Sequence, residues 1–276
     1  MSKLNVAVCQ MKVENDKEKN LKKAEKMIAE AAKKGSELVV LPEIFNAPYQ
    51  TDILPQYAEV YPGPTTSFLK NQAQKNQIYL VGGSIPEKDR KGRIYNSSFT
   101  FDDRGELKGI YRKVHLFDVD IPGKITFKES NIFTSGNKLS IISHPKAAFT
   151  VIICYDCRFP EWAKLAALKG AQILIIPAAF SLKTGAAHFE LLMRTRAVDN
   201  QVYVIAASPA RNPEASFQVW GHSMIVNPWG EIIAEAGSEE EIIYAELDLS
   251  LVDKIREELP LLKQFRHDVY ETIYKK

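Results

Sequence analysis

Two short runs, Val151-Ile152-Ile153 and Ile173-Leu174-Ile175-Ile176, are apolar at every position, and nothing else in the chain constrains its fold as much. A strand with one face in water alternates polar and apolar residues, whereas a strand apolar on both faces must be covered on both sides. Around these runs, further strands are expected at Leu4 to Met11, Glu37 to Leu41, Ile78 to Ile85, Ser97 to Asp102, Val202 to Ala207 and Ile242 to Leu247. Helices are expected after Asp16, a plausible N-cap, up to Gly35, and at Thr65 to Lys75, Pro160 to Lys169 and Ala186 to Val198. Strands alternating with amphipathic helices, without internal repeat or Gly/Ser tract, predict one α/β domain over 1–276, with a C-terminal extension from about 250. Ser97 to Asp102 and His222 to Val226 mix polar and apolar positions, so a pair of sheets between helix layers satisfies both patterns.

Charge narrows the functions open to such a domain. Lys plus Arg number 36 against 34 Asp plus Glu, and the two signs are interspersed, so no nucleic-acid or membrane-surface footprint is expected. The N-terminal residues enter a strand-like run and lack a signal-peptide pattern, and no apolar run approaches the roughly 20 residues of a membrane span. With three cysteines, Cys9, Cys154 and Cys157, too few for a disulfide framework, a reducing cytoplasmic location is expected.

The uncommon residues fall at strand ends. Glu43 follows Val39-Val40-Leu41-Pro42 and Cys154 follows Val151-Ile152-Ile153, the carboxyl edge where α/β sheets bind ligands. A free cysteine is usually a small buried hydrophobe. A helix starting near Pro160 would give Cys154 exposed N–H groups and a positive dipole end that favours thiolate. Cys154 and Cys157 also spell C-x-x-C, but no second pair or H-x-x-x-H completes a zinc site, and a thioredoxin-like redox domain is much shorter than this chain. A Cys-His pairing with one of His115, His144, His188, His222 or His267 is open on spacing alone. Glu43 and Lys113 each read singly as a turn carboxylate and a surface lysine. Together with Cys154 they supply a nucleophile, a proton-moving carboxylate and a cation for an oxyanion, which amide cleavage requires.

Three segments, Leu41-Pro42-Glu43-Ile44-Phe45-Asn46-Ala47-Pro48-Tyr49, Tyr111-Arg112-Lys113-Val114-His115-Leu116-Phe117 and Cys154-Tyr155-Asp156-Cys157-Arg158-Phe159-Pro160-Glu161, resemble the nitrilase (carbon–nitrogen hydrolase) superfamily. The run Phe117 to Ser130, with Arg196 to Tyr203, Ser208 to Arg211, Trp220 to Ser223 and Val226 to Gly230, resembles its omega-amidase branch most. Cys157 departs from that branch, where a larger apolar residue is expected. The resemblance implies a four-layer α-β-β-α sandwich of the nitrilase type that forms homodimers through helix layers. It implies Glu43, Lys113 and Cys154 as catalytic residues and Glu129 as a second glutamate that keeps Lys113 charged. In the chemistry that follows, the Tyr155 backbone N–H shares the oxyanion with Lys113, and no metal or organic cofactor is required. The expected substrate is a small amide bearing a carboxylate, such as 2-oxoglutaramate or 2-oxosuccinamate. The alternatives are an N-carbamoyl amino-acid hydrolase, an aliphatic amidase or a nitrilase, then a thiol redox protein or a non-catalytic module. Arg158, four residues after Cys154, is expected to anchor the substrate carboxylate unless it pairs with Glu161 or another acid to hold the turn, and Tyr49 to shape the pocket. The segment Ser250 to Lys276 either reaches a partner subunit or packs on its own domain.

Overall fold

The computed structural model describes residues 3–121 and 125–275. Met1, Ser2, Lys276 and the Pro122, Gly123 and Lys124 of the Phe117–Ser130 run lie outside the described residues. In chain order the strands are β1 (Lys3–Gln10), β2 (Leu38–Val40), β3 (Tyr79–Val81), β4 (Ile85–Lys88), β5 (Ile94–Phe101), β6 (Leu107–Arg112), β7 (Asp118–Ile121), β8 (Ile125–Lys128), β9 (Ile142–Ser143), β10 (Ala148–Val151), β11 (Ile173–Pro177), β12 (Tyr203–Ala207), β13 (Met224–Val226), β14 (Ile232–Glu235) and β15 (Glu241–Asp248). The helices are α1 (Lys17–Lys33), α2 (Pro64–Asn76), α3 (Pro160–Leu168), α4 (Leu182–Asn200) and α5 (Ser250–Glu258).

Two sheets result. The first runs β15-β1-β2-β3-β5-β4, with β6 paired to β5, and the second runs β14-β13-β12-β11-β10-β9. The period of two in β1 shows how they stack. Leu4, Val6 and Val8 enter a core shared with β10, β11, β12 and β13, between the sheets. Ala7 and Cys9 face the other way and pack with Leu21, Ala24 and Ile28 of α1 and Leu69 and Ala73 of α2. On the far side of the second sheet, Ala163 and Ala166 of α3 and Phe189 and Met193 of α4 close the stack. The order is helices, sheet, sheet, helices: an α-β-β-α sandwich, in which β10 and β11 are covered on both faces as their composition demands.

Asp16 caps α1, its side chain accepting from the Lys19 N–H at 3.1 Å. The expected strand Ile78 to Ile85 is broken in two. Gly83 sits at φ +52°, and a Cβ there would lie 1.9 Å from the Pro42 carbonyl oxygen. The chain leaves β3 at Gly82 to make room for the backbone that carries Glu43 and rejoins the sheet as β4. Between Phe117 and Glu129, β7 and β8 pair antiparallel. Past α5 the tail lies along its own chain, where the Tyr274 hydroxyl donates to the Asn137 carbonyl at 2.8 Å and its ring meets Trp162. Among the described residues no helix is long and apolar enough to cross a membrane.

Candidate active site

β2 and β10 belong to different sheets, and each runs out at the same edge of the sandwich. Beyond β2 the Leu41 N–H still bonds the Val81 carbonyl, the Ser84 N–H donates to the Pro42 carbonyl at 3.2 Å, and the Ser84 hydroxyl accepts from the Ile44 N–H at 3.0 Å. Glu43 is thereby fixed, although Ile44, a β-branched residue, must adopt φ +50°. Beyond β10, Cys154 opens a 3-10 turn, Cys154–Arg158, at φ +46°. Lys113 follows β6 and remains in the sheet through its N–H, which donates to the Asn96 carbonyl at 2.9 Å. Glu129 follows β8.

The four side chains meet out of water. The Lys113 ammonium is fully buried, 3.0 Å from Glu43 Oε1 and 2.9 Å from both carboxylate oxygens of Glu129. Glu43 also accepts from Asn96 Nδ2 at 2.9 Å and from the Ala179 N–H at 2.8 Å, and it lies near enough to Cys154 for each to shift the other's ionisation. Glu129 accepts from the Tyr49 hydroxyl and from the Phe117 N–H, each at 2.6 Å. Tyr49, expected only to shape the pocket, therefore also holds Glu129, with its ring against Phe127 and Phe217.

Burial raises the Glu43 carboxyl above the ordinary carboxylate range; Lys113 opposes the rise and Glu129 adds to it. Burial alone would lower Lys113, but the charges of Glu129 and Glu43 outweigh it and hold the ammonium protonated well beyond its usual range. The Cys154 thiol is pushed well up by burial first and by Glu43 next, with Lys113 pulling the other way. This corrects the expectation of a helix-favoured thiolate. α3 starts only at Pro160, beyond the 3-10 turn, and a helix end acts over about one turn. Burial and the nearby Glu43 charge both favour the thiol form of Cys154 over the thiolate.

Cys154 is 7% exposed and reaches solvent through a narrow pocket walled by Tyr49, Phe117, Tyr155, Arg158, Phe180 and Thr184. A wider vestibule continues past Phe117, Tyr155 and Arg158 to Leu182, His188 and Phe217. Arg158 does not pair with Glu161. Its Nη1 meets His188 Nδ1 at 3.3 Å, and its guanidinium lies over the Phe180 ring at 4.9 Å from the centroid. Cys157 is fully buried, its thiol pushed up to about 12 by burial, and its carbonyl accepts from Arg196 Nε at 2.7 Å. Sequence reasoning missed Asn96 and the Ala179 N–H, which bind Glu43, and Asp156, which accepts from the Ile153 N–H just before Cys154. None of the three ends an apolar run, although Asp156 stands two residues after Cys154.

An α-β-β-α sandwich that buries a thiol, two glutamates and a lysine at one sheet edge defines a cysteine-dependent hydrolase of carbon–nitrogen bonds. The carbon–nitrogen hydrolase family pattern matches residues 5–257, and the chain belongs to that family. It is 50% identical to the omega-amidase NIT2 of Danio rerio over 99% of this chain and 98% of that protein. To the omega-amidase NIT2 of Homo sapiens it is 48% identical over the whole of both chains. Among solved structures, Nit3 of Saccharomyces cerevisiae superposes with a TM-score of 0.89 at 46% identity, covering 96% of this chain and 97% of that one. The C. elegans NitFhit protein gives 0.92 at 35% identity, covering all of this chain and 68% of that one.

Proposed function

We propose that the chain is an omega-amidase, hydrolysing a small carboxylate-bearing amide such as 2-oxoglutaramate or 2-oxosuccinamate to the acid and ammonia. One observation carries the chemistry: the Cys154 thiol shares its buried site with a carboxylate, Glu43, that shares an ammonium, Lys113, with a second carboxylate. Glu43 takes the thiol proton as sulfur attacks the amide carbon, and the C=O electron pair moves to oxygen. That oxyanion is held by Lys113 and the Tyr155 N–H. Collapse expels the amine, which Glu43 protonates to ammonia, and leaves a thioester on Cys154. Glu43 then removes a proton from water, which attacks the thioester carbon, and the proton returns to the departing thiolate. Glu129 keeps Lys113 charged and aimed, and Tyr49 keeps Glu129 in place.

The substrate's second end is assigned to Arg158, whose guanidinium borders the same narrow pocket as Cys154. A guanidinium can bind a carboxylate through two parallel hydrogen bonds, which a lysine cannot reproduce. Arg158→Lys should therefore raise KM for 2-oxoglutaramate far more than for an uncharged amide; equal losses on both would make Arg158 structural. Ammonia release from a panel of amides, nitriles and N-carbamoyl amino acids tests the assignment. The carboxylate-bearing amides should lead, and faster wild-type turnover of an uncharged amide would remove the omega-amidase reading and leave the amidase mechanism.

We further propose a cytoplasmic homodimer built from single-domain subunits. The outer side of α4 supports the dimer, with Leu191 63% exposed, Val198 partly so, and Trp229 58% exposed nearby. Sedimentation at micromolar concentration should give a dimer or larger assembly, and a strict monomer contradicts it.

A further inference from the structure

Four hydrogen-bond donors converge on one buried carboxylate beneath the nucleophile, and none of them belongs to the catalytic set. Asp156 Oδ2 accepts from the Ile153 N–H at 2.9 Å and from the Tyr111 hydroxyl at 2.6 Å. Asp156 Oδ1 accepts from the His115 N–H at 2.8 Å and lies 2.7 Å from His115 Nδ1. The Tyr111 hydroxyl in turn accepts from Trp162 Nε1 at 2.9 Å. Asp156 itself is fully buried.

The positions of the donors matter more than their number. Ile153 immediately precedes Cys154, while Tyr111 and His115 each stand two residues from Lys113, on either side of it. One carboxylate thus ties the backbone just before the thiol to the segment that carries the ammonium. Cys154 needs such a tie, because its φ of +46° is a conformation that a residue with a Cβ holds only when its surroundings impose it. The salt bridges of Lys113 run to Glu43 and Glu129 and link side-chain ends, whereas Asp156 ties the backbone before the sulfur to the segment that carries the ammonium.

We propose that Asp156 is a positioning residue that sets the distance between the Cys154 sulfur and the Lys113 ammonium, so that the oxyanion forms within reach of its cation. The proposal rests on the reading of Cys154 as nucleophile and Lys113 as oxyanion cation. An ionised carboxylate offers about four acceptor positions, matching the four donors; an amide of the same shape does not. In Asp156→Asn the NH2 group must face either the Ile153 N–H or the His115 N–H. Neither backbone donor can reverse its role, although the Tyr111 hydroxyl and the His115 ring could. One side of the tie is therefore lost while the volume is kept.

The test compares Asp156→Asn, Tyr111→Phe and the wild type in three measurements: kcat and KM for 2-oxoglutaramate, the fraction of Cys154 alkylated by iodoacetamide, and the near-UV circular dichroism of the folded protein. Misplacement of reacting groups by about 1 Å costs on the order of 10²-fold in rate. Asp156→Asn should fold, bind substrate with nearly unchanged KM, alkylate fully at Cys154 and lose about 10²-fold in kcat. A folded Asp156→Asn with wild-type kcat per alkylatable Cys154, or with the loss confined to KM, overturns the proposal. If that variant does not fold, Tyr111→Phe decides, since it removes one donor of four: a reduced kcat at constant KM supports the tie, and wild-type kcat overturns it. Failure of the underlying reading is separate, because it appears as activity in Cys154→Ala whatever Asp156→Asn does.

Discussion

At the residue scale the site turns on where protons rest. In the proposed mechanism Glu43 must be ionised to accept the thiol proton, and burial holds its carboxyl above the ordinary range. Activity should therefore fall with decreasing pH through that raised value, placing the acid limb of kcat/KM above the 4.5 of a free glutamate. Lys113 pulls Glu43 downward, so in Lys113→Met any residual activity should show its acid limb at still higher pH; an acid limb that stays put would contradict the coupling. Cys157 gives a test that leaves catalysis alone. Its thiol is raised from 9.0 to about 12 in the folded protein, so between those values the unfolded chain loses a proton that the folded one keeps. A folded-state pKa raised in this way stabilises below the unfolded value and loses that contribution as pH rises, at about 1.4 kcal/mol per pH unit. Cys157→Ala should retain most activity and show a shallower fall in denaturation midpoint between pH 9 and 11. A reversible Cys154–Cys157 disulfide controlling activity would instead restore the redox reading. Glu43 and Cys154 were legible because each ends an apolar run; the partnership of Glu129 with Lys113 came only through the resemblance, since it joins elements by contact rather than by period. Asn96, Ala179 and Asp156 gave no such signal, being ordinary residues whose importance lies in where their hydrogen bonds go.

At the scale of elements, the break between β3 and β4 is what the sequence conceals best. Apolar residues run from Ile78 to Val81 and resume at Ile85, so hydrophobicity alone joins them, whereas the close approach of Gly83 to the Pro42 backbone keeps them apart. Gly83→Ala should destabilise the fold by about 1–3 kcal/mol, from strain at positive φ and from a Cβ driven into the Pro42 and Leu41 carbonyls. Because that backbone carries Glu43, specific activity should fall as well. Gly92→Ala is the control. It has a positive φ of +82° but nothing within 4 Å of the added Cβ, so it should cost about 1 kcal/mol and leave kcat unchanged. Chemical denaturation with parallel ammonia assays reads both; equal activity in the two variants would contradict the link between the break and the site. The hairpin β7–β8 was concealed differently. Asp118, Asp120 and Lys128 alternate with Val119 and Phe127 in a strand period, but the Pro122-Gly123 pair between them reads as a loop.

At the scale of the molecule, stacking one sheet on another brings Glu43 and Lys113 from the first to Cys154 from the second, with Glu129 from the β7–β8 hairpin. No single supersecondary unit holds the set, which explains why the layers were readable from doubly apolar strands while the meeting of the four side chains was not. The proposed mechanism depends on the Cys154 sulfur. Ammonia release from 2-oxoglutaramate by Cys154→Ala, with folding verified by circular dichroism, should drop at least about 10³-fold, because losing the nucleophile disables the whole unit. Turnover within tenfold of wild type by that folded variant would contradict a thioester mechanism in this protein.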